Sequence, residues 1–320
     1  MCDVSIVIVA WNVQQYVVDC LRSIERECTM PGIEVLVVDN GSSDGTAEAV
    51  EREFPNVRLI RSKTNLGFTK GNNLAIRQSH GRYVCLVNSD VLVLPNCFEE
   101  LVAFMDARPE VGMVGPRVLN GDRSLQRSCY PFQSYRGEFL QTLGMDPLFP
   151  RASSSPNNNV DDGPESEPRP VQVLKGCFVM VRREAMDDVG LMDESLFFYG
   201  DDFDWCKRFW AKGWKVMYYP HAETIHYHAG STERAPINFF IELQKAKLQY
   251  WGKHHGRIGR AYCVLLILLR ELLRIGPRFV LYVVRPAQRD ENGYKMRRSI
   301  ACIRWLLNIG TVEDVETGLN

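Results

Sequence analysis

The sequence predicts an α/β fold: a doubly wound, mostly parallel sheet flanked by helices, followed by a helical tail that is both basic and apolar. Two observations predict it. Over residues 1–120, short apolar runs alternate with segments whose apolar residues recur at helical spacing. Within the runs the apolar residues are consecutive rather than alternate, as in strands covered on both faces.

The elements follow in order. Val4 to Val9 is the first strand pattern, continuing to Ala10. Val17, Cys20, Leu21 and Ile24 then repeat at helical spacing. Glu34 to Val38 is a second strand. Asp44-Gly45-Thr46 opens a helix through Glu53, with Asp44 as its cap. Val57 to Ile60 is a third strand, Lys70 to Ser79 a helix, and Tyr83 to Val87 a fourth strand. Cys97 to Ala107 is helical and Val111 to Val118 is a fifth strand. Residues 151–170, rich in Ser, Asn, Pro and acids, read as a flexible exposed loop. Strand pattern resumes over Val171 to Val181. A helix is expected from Asp202 to Lys212, then two short strands, Lys215 to Tyr219 and Glu223 to Tyr227. Beyond Pro236 the chain reads as helical.

Composition narrows the function classes. The 320 residues are 45% apolar and 24% charged, ordinary values for a soluble globular protein. A net charge of -1 argues against a dedicated nucleic-acid binder. That balance hides an asymmetry. Lys253 to Arg304 holds twelve Lys/Arg against three acids, Glu271, Asp290 and Glu291. Ten cysteines without a Cys-x-x-Cys pair fit reduced thiols better than a disulfide framework. The first residues lead directly into a strand pattern, with no basic leader or cleavage site. Ala261 to Val284 is strongly apolar, but Arg270, Glu271, Arg274, Gly276-Pro277 and Arg278 interrupt it. It reads as an amphipathic pair for a membrane surface, ahead of a packed or oligomeric helix and of a true span.

Five stretches carry candidate chemistry. Asp39-Asn40-Gly41 follows the second strand, where ligands of such sheets bind. Its carboxylate suits a base or ribose donor, and equally suits plain turn chemistry. Asn65 to Asn73 offers glycine, amides and a lysine before a helix, which makes either an anion site or a capped loop. Asn88-Ser89-Asp90 puts one carboxylate at a strand end, a hard ligand for a divalent cation on a diphosphate, or a simple turn residue. Asp201, Asp202 and Asp204 crowd a helix start among aromatics. The helix dipole favours acids there, but the aromatics would also raise a carboxyl pKa, as a general base needs. His226 and His228 alternate along a strand and share a face. Each is a metal-ligand candidate or a structural histidine.

Taken together, these motifs resemble the GT-A glycosyltransferases of family 2, in particular the rhamnosyltransferase-like branch of bacterial cell-surface polysaccharide synthesis. The resemblance rests on VSIVIVAWN, EVLVVDNGSSDGT, VRLIRSKTNLGFTKGNN, GRYVCLVNSD, VGMVGPRVLNGDRSLQRSC, LKGCFVMVRREAMDDVGLMDESLFFYGDDFDWCKRFWAKGWKVMYYP and TIHYHAGST, and runs from about Val4 to Thr232. It implies a transferase domain over 1–235, with a nucleotide-binding half at 1–120, an acceptor and catalytic half at 171–235, and a tail at 236–320. It also implies a role for each matching residue. Trp11 and Asn12 lie beside the nucleotide and Asp39 contacts its base or ribose. Asn65, Gly67 and Asn72 shape the diphosphate and sugar pocket, together with Asn88 and Ser89. Asp90 and His226, with His228 as substitute, hold Mg2+ or Mn2+. Asp202 is the base, supported by Asp201 and Asp204, and Gly176 floors the sugar site. Two departures stand out: Asn88 replaces the first aspartate of the family's Asp-x-Asp, and Asp201 replaces a glutamate.

The implied activity is inverting transfer of a hexose, rhamnose-like, from a UDP- or dTDP-sugar to a glycan or lipid-linked glycan. The implied place is cytoplasmic, peripheral on the inner face of the cell membrane, with an anionic membrane surface as partner. The rivals are a non-catalytic sugar-binding protein on the same fold and a sugar nucleotidyltransferase. The latter would carry a Gly-rich basic loop where Ala10-Trp11-Asn12-Val13 stands.

Overall fold

In a computed structural model, residues 2–145, 148, 167–196, 200–227 and 237–308 are described. The chain forms two compact units, residues 1–132 with 159–230 and residues 133–158 with 231–320. In chain order the elements are β1 (Val4–Ala10), α1 (Gln14–Glu27), β2 (Ile33–Asp39), α2 (Thr46–Glu53), β3 (Arg58–Arg61), α3 (Phe68–Ile76), β4 (Tyr83–Asn88), β5 (Val91–Val93), α4 (Cys97–Asp106), β6 (Val111–Leu119) and β7 (Cys129–Tyr130). Then come α5 (Tyr135–Thr142), β8 (Arg169–Pro170), β9 (Val173–Leu174), β10 (Phe178–Arg182), α6 (Arg183–Val189), α7 (Asp201–Ala211), β11 (Lys215–His226), α8 (Ile237–Val284) and α9 (Arg289–Leu306).

The first unit is the expected α/β layer structure. Its main sheet runs β3-β2-β1-β4-β10-β6-β11-β5, with β8 beside β11. Strands β3, β2, β1 and β4 are parallel, β10 is antiparallel to its neighbours β4 and β6, and β11 is parallel to β6. Along β1, Ile6 and Ile8 join the apolar layer of α1 and α4, while Val7 joins the opposite layer with residues of α3 and α7. Side chains alternate between faces, so a run apolar at every position is what two covered faces require.

Three local readings change. The stretch Val171 to Val181 is not one strand. β9 pairs with β7 in a small separate sheet, and β10 enters the main sheet. Between them Lys175 N donates to Ser128 O, and Cys177 O accepts from Asn88 N, so the chain changes sheets at Gly176. The two short strands after α7 are a single strand, β11, with a register shift between Tyr219 and Glu223. Pro220 lies in that shift and has no N–H for the ladder. Finally, Arg169–Pro170, placed in the expected loop, pair with Tyr218 and Met217. The loop's residues 151–166 lie outside the described residues. All ten cysteines are free thiols, as their spacing implied.

In the second unit α5, α8 and α9 pack together. Trp251 Nε1 donates to Gln133 Oε1 at 2.7 Å, Lys247 pairs with Glu138, and Tyr262 Oη donates to Tyr135 O at 2.9 Å. Helix α8 leaves helical geometry at Gly256, whose φ of 69° suits glycine. Glu271 is fully buried between α8 and α9. It accepts from Arg270 Nε at 3.1 Å, Arg274 Nη1 at 3.2 Å and Ser299 Oγ at 2.7 Å. Arg270, one of the charges that interrupt the apolar stretch, is therefore an internal partner of Glu271 and Gln244. Among the described residues, no helix is long and apolar enough to cross a membrane.

Candidate active site

Strand register collects the candidate residues along one sheet edge. Ala10 pairs with Asp39, and Val9 pairs with Asn88, so β1, β2 and β4 end level. Antiparallel β10 starts at that same edge, which brings Gly176 and Cys177 beside Asn88. Strand β11 ends there too, with His226 opposite Val91 of β5.

On the nucleotide side, the loops after β1 and β2 are strapped together. Asn12 sits in the left-handed region, φ 52°, which asparagine tolerates. Its Oδ1 accepts from Ser43 N at 2.8 Å, and its N donates to Ser42 Oγ at 3.0 Å. Asp44 accepts from Thr46 N and from Gln14 N, so it serves the starts of both α1 and α2. Gly41, at φ +79°, has no room for a Cβ, which would stand 3.0 Å from the Thr64 backbone carbon. Above this rigid turn Trp11 is 52% exposed, a free aromatic face. Asp39 is buried and accepts from Ser42 N at 3.3 Å.

The loop from Asn65 is held from within. Asn65 Oδ1 accepts from Gly67 N and from Asn40 Nδ2, both at 2.9 Å. Asn72 is buried, and its amide donates to Phe68 O, so it acts on the cleft through the start of α3. Asn73 bonds Met192 through both Nδ2 and Oδ1, and Thr69 Oγ1 donates to Leu196 O. These bonds anchor the stretch leading to Phe197, Phe198 and Tyr199, which lie outside the described residues.

Asp201 and Asp202 open α7 beside Phe68, Asn88, Lys175 and Gly176 in one open pocket. Asp201 is buried and Asp202 is partly exposed. Beneath them lie Leu86, Met113, Val179 and Trp205. Burial, then the charge of Asp202, drives the Asp201 carboxyl well above the usual range. Burial also raises Asp202, opposed by N–H groups of Phe203 and Gly176 and by the Lys175 charge. Asp202 Oδ1 accepts from Phe203 N at 2.8 Å. A carboxyl tuned upward, at the surface of a pocket, is the profile of a general base. Gly176 lines the pocket beside both carboxylates, and a Cβ there would stand in ordinary contact, 3.8 Å from Asp202 Cβ. Asp204 is not part of this group. It is buried and paired with Arg208, which also donates to the carbonyls of Val189 and Leu191.

Asp90 and His226 meet although far apart in sequence. His226 Nε2 lies 3.3 Å from Asp90 Oδ1, and both residues are buried. Gln126, which no motif singled out as a site residue, decides the tautomer of the ring. Lys175 Nζ can only donate, and it does so to Gln126 Oε1 at 2.9 Å. Gln126 Nε2 donates to Asn120 Oδ1 at 2.8 Å and to His226 O at 3.0 Å. The amide is thereby oriented, and its Oε1 must accept from His226 Nδ1–H at 2.7 Å. In the neutral ring Nε2 then carries the lone pair, facing Asp90. Two ligands at right angles on an octahedral ion with bonds of about 2.1 Å lie about 3 Å apart, close to this separation. The donor set fits a divalent cation that takes its other ligands from substrate and water. Among the described residues, no group of three or more His, Cys, Asp and Glu is placed to hold a metal ion by itself. His228 lies outside the described residues.

The family model "Glycosyl transferase family 2" matches residues 5–190. The chain belongs to glycosyltransferase family 2. Within it the protein is rhamnosyltransferase-like. It is 33% identical, over 72% of its length and 78% of the relative's, to the N-acetylglucosaminyl-diphospho-decaprenol L-rhamnosyltransferase of Mycobacterium tuberculosis (strain ATCC 25618 / H37Rv). Solved structures share the fold of this glycosyltransferase. A Pyrobaculum calidifontis mannosyltransferase in complex with GDP-Man and Mn2+ superposes with TM-score 0.54 at 16% identity, over 94% of this chain and 87% of that one. GalNAc-T7 with UDP, GalNAc and Mn2+ gives 0.56 at 14% identity, over 79% of this chain. The chain spans 51% of that structure's length.

Proposed function

We propose that the protein is an inverting, metal-assisted glycosyltransferase. It moves a hexose, rhamnose-like, from a UDP- or dTDP-sugar to a hydroxyl of a glycan or lipid-linked glycan. The observation that carries this reading is the convergence of Asp202, Lys175, Gln126, His226 and Asp90 at one sheet edge. The relative's name supports rhamnose and a lipid-diphosphate acceptor. The Mn2+ and nucleotide complexes of the structural neighbours support the donor class and the cation.

In this mechanism Asp202 takes the proton of the acceptor hydroxyl. The oxygen attacks the anomeric carbon from the face opposite the nucleoside diphosphate, and the bond to the diphosphate oxygen breaks. The product has the inverted configuration. Asp90 and His226 would hold Mg2+ or Mn2+, which when bound would supply positive charge where the leaving diphosphate gains negative charge. Trp11 stacks the base, Asp39 takes a donor of the base or ribose, and Asn88 and Ser89 line the diphosphate path.

A thermal-shift screen tests the reading. UDP or dTDP with Mn2+ should raise Tm, by the equivalent of about 2.7 kcal/mol at a concentration of 100 Kd. The same nucleotides without metal should do much less. No shift with UDP, dTDP or GDP, with or without metal, would sink it.

Gln126 gives a second test of the same site. Gln126→Leu releases the ring tautomer without touching Asp90 or His226. Affinity for Mn2+ in the presence of UDP, read by electron paramagnetic resonance, should fall about 10- to 100-fold. Unchanged Mn2+ affinity in a folded variant would reduce Gln126 to a structural residue.

A further inference from the structure

The second half of α8 presents an apolar face to solvent. Ile258, Leu265, Leu269, Leu272, Phe279 and Val283 are 81%, 62%, 36%, 58%, 58% and 53% exposed. At about 100° per residue they fall within an arc of roughly 80° on one side of the helix. No charged residue between Ile258 and Val284 falls in that arc. The opposite side is the packed one, with Cys263, Ile267, Arg270 and Glu271 buried. At a rise of 1.5 Å per residue the stripe is about 40 Å long. Side chains of this kind scattered singly need no explanation, but a continuous stripe does.

Charge selects the occupant. Exposed Arg257 and Arg260 stand at one end of the stripe, and exposed Arg285 and Arg289 at the other. Behind it, Arg278 Nη1 and Arg298 Nε are buried without a hydrogen-bond acceptor, which adds two more guanidinium groups at this end of the unit. The segment Lys253 to Arg304 holds twelve basic residues and three acids. A second copy would bring the same positive charge against it. The stripe is a single helix face, the opposite face carries charge, and no helix among the described residues is long and apolar enough to cross a membrane.

We propose that this face of α8 lies in the plane of an anionic phospholipid bilayer. Its apolar side chains enter the boundary between headgroups and acyl chains, and the basic residues Arg257, Arg285 and Arg289 at its two ends meet the headgroup phosphates. The proposal extends the lipid-linked acceptor reading above, and it can fail while that reading stands.

The test is flotation of the full-length protein with vesicles of phosphatidylglycerol and phosphatidylcholine in equal parts, against phosphatidylcholine alone. The wild type should float with the first and not the second, and should be released by high salt. The triple variant Leu265→Ser, Leu272→Ser, Phe279→Ser should lose vesicle partitioning by about 100-fold or more. Its Tm and its thermal shift with UDP and Mn2+ should stay those of the wild type, which separates this face from the donor site. A wild type that does not float with anionic vesicles overturns the proposal. So does a triple variant that floats equally well. A wild-type dimer that the triple variant turns into a monomer would make the face a contact between copies, and would overturn it too.

Discussion

Asp202→Asn is expected to lower turnover by about 10²- to 10⁴-fold, the usual contribution of a general base. Donor binding should persist, because Asp202 acts on the acceptor hydroxyl. A single-turnover assay alongside the UDP thermal shift separates the two, and near-normal turnover would remove Asp202 from the role. The pH profile carries the sign. Burial holds the Asp201–Asp202 pair above the usual carboxylate range. A base must be deprotonated, so kcat/KM should fall as pH drops through that raised value, earlier than for an ordinary aspartate. Asp201 is raised above Asp202 and keeps its proton while Asp202 titrates, so Asp201→Asn should leave the acid limb nearly in place. A limb that moved far to lower pH would mean that a charged Asp201, and not burial, is what raises Asp202.

Asp90→Asn and His226→Ala are each expected to lower turnover by about 10²- to 10³-fold, the equivalent of about 3–4 kcal/mol of charge stabilisation at the leaving group. Each should also weaken Mn2+ binding in the presence of UDP. The two side chains stand 3.3 Å apart, so their losses should not add. The double variant should be little worse than the more damaged single one. His226→Ala with full Mn2+ affinity would force a mechanism in which Asp90 alone serves the cation. Asn88 makes this pair more important. Where the wider family pattern has a second carboxylate, this chain has a neutral amide at the end of β4.

Much of this site was legible one strand at a time. Asp39, Asn88 and Asp90 follow apolar runs, and a residue that ends a buried parallel strand must come out at the ligand edge. The acids at the start of α7 were equally visible, but sorting them was not. Asp204 has the same local sequence context as Asp202 and yet turns to Arg208. Asn72 had the look of a pocket residue and is spent on the start of α3. Gln126 lies within the family-like stretch VGMVGPRVLNGDRSLQRSC, but nothing in that stretch singled it out. Its partners, Lys175 and His226, come from the crossing between two sheets and from β11. Lys175 stood next to Gly176 in the sequence, but nothing local said that its ammonium would orient an amide.

Alone, the sequence determined the α/β layering, the level strand ends and the family-like set of carboxylates, because periodicity and turn chemistry are local. It also determined that the tail is basic and amphipathic. Only the tertiary structure decided that Asp90 and His226 share one point, that Gln126 sets the tautomer facing it, and that Arg270 is an internal partner rather than a surface charge. The first two depend on which strands become neighbours and in what register. Asp90–His226 and Gln126–His226 join residues a hundred or more positions apart, and no local pattern encodes a distance between them.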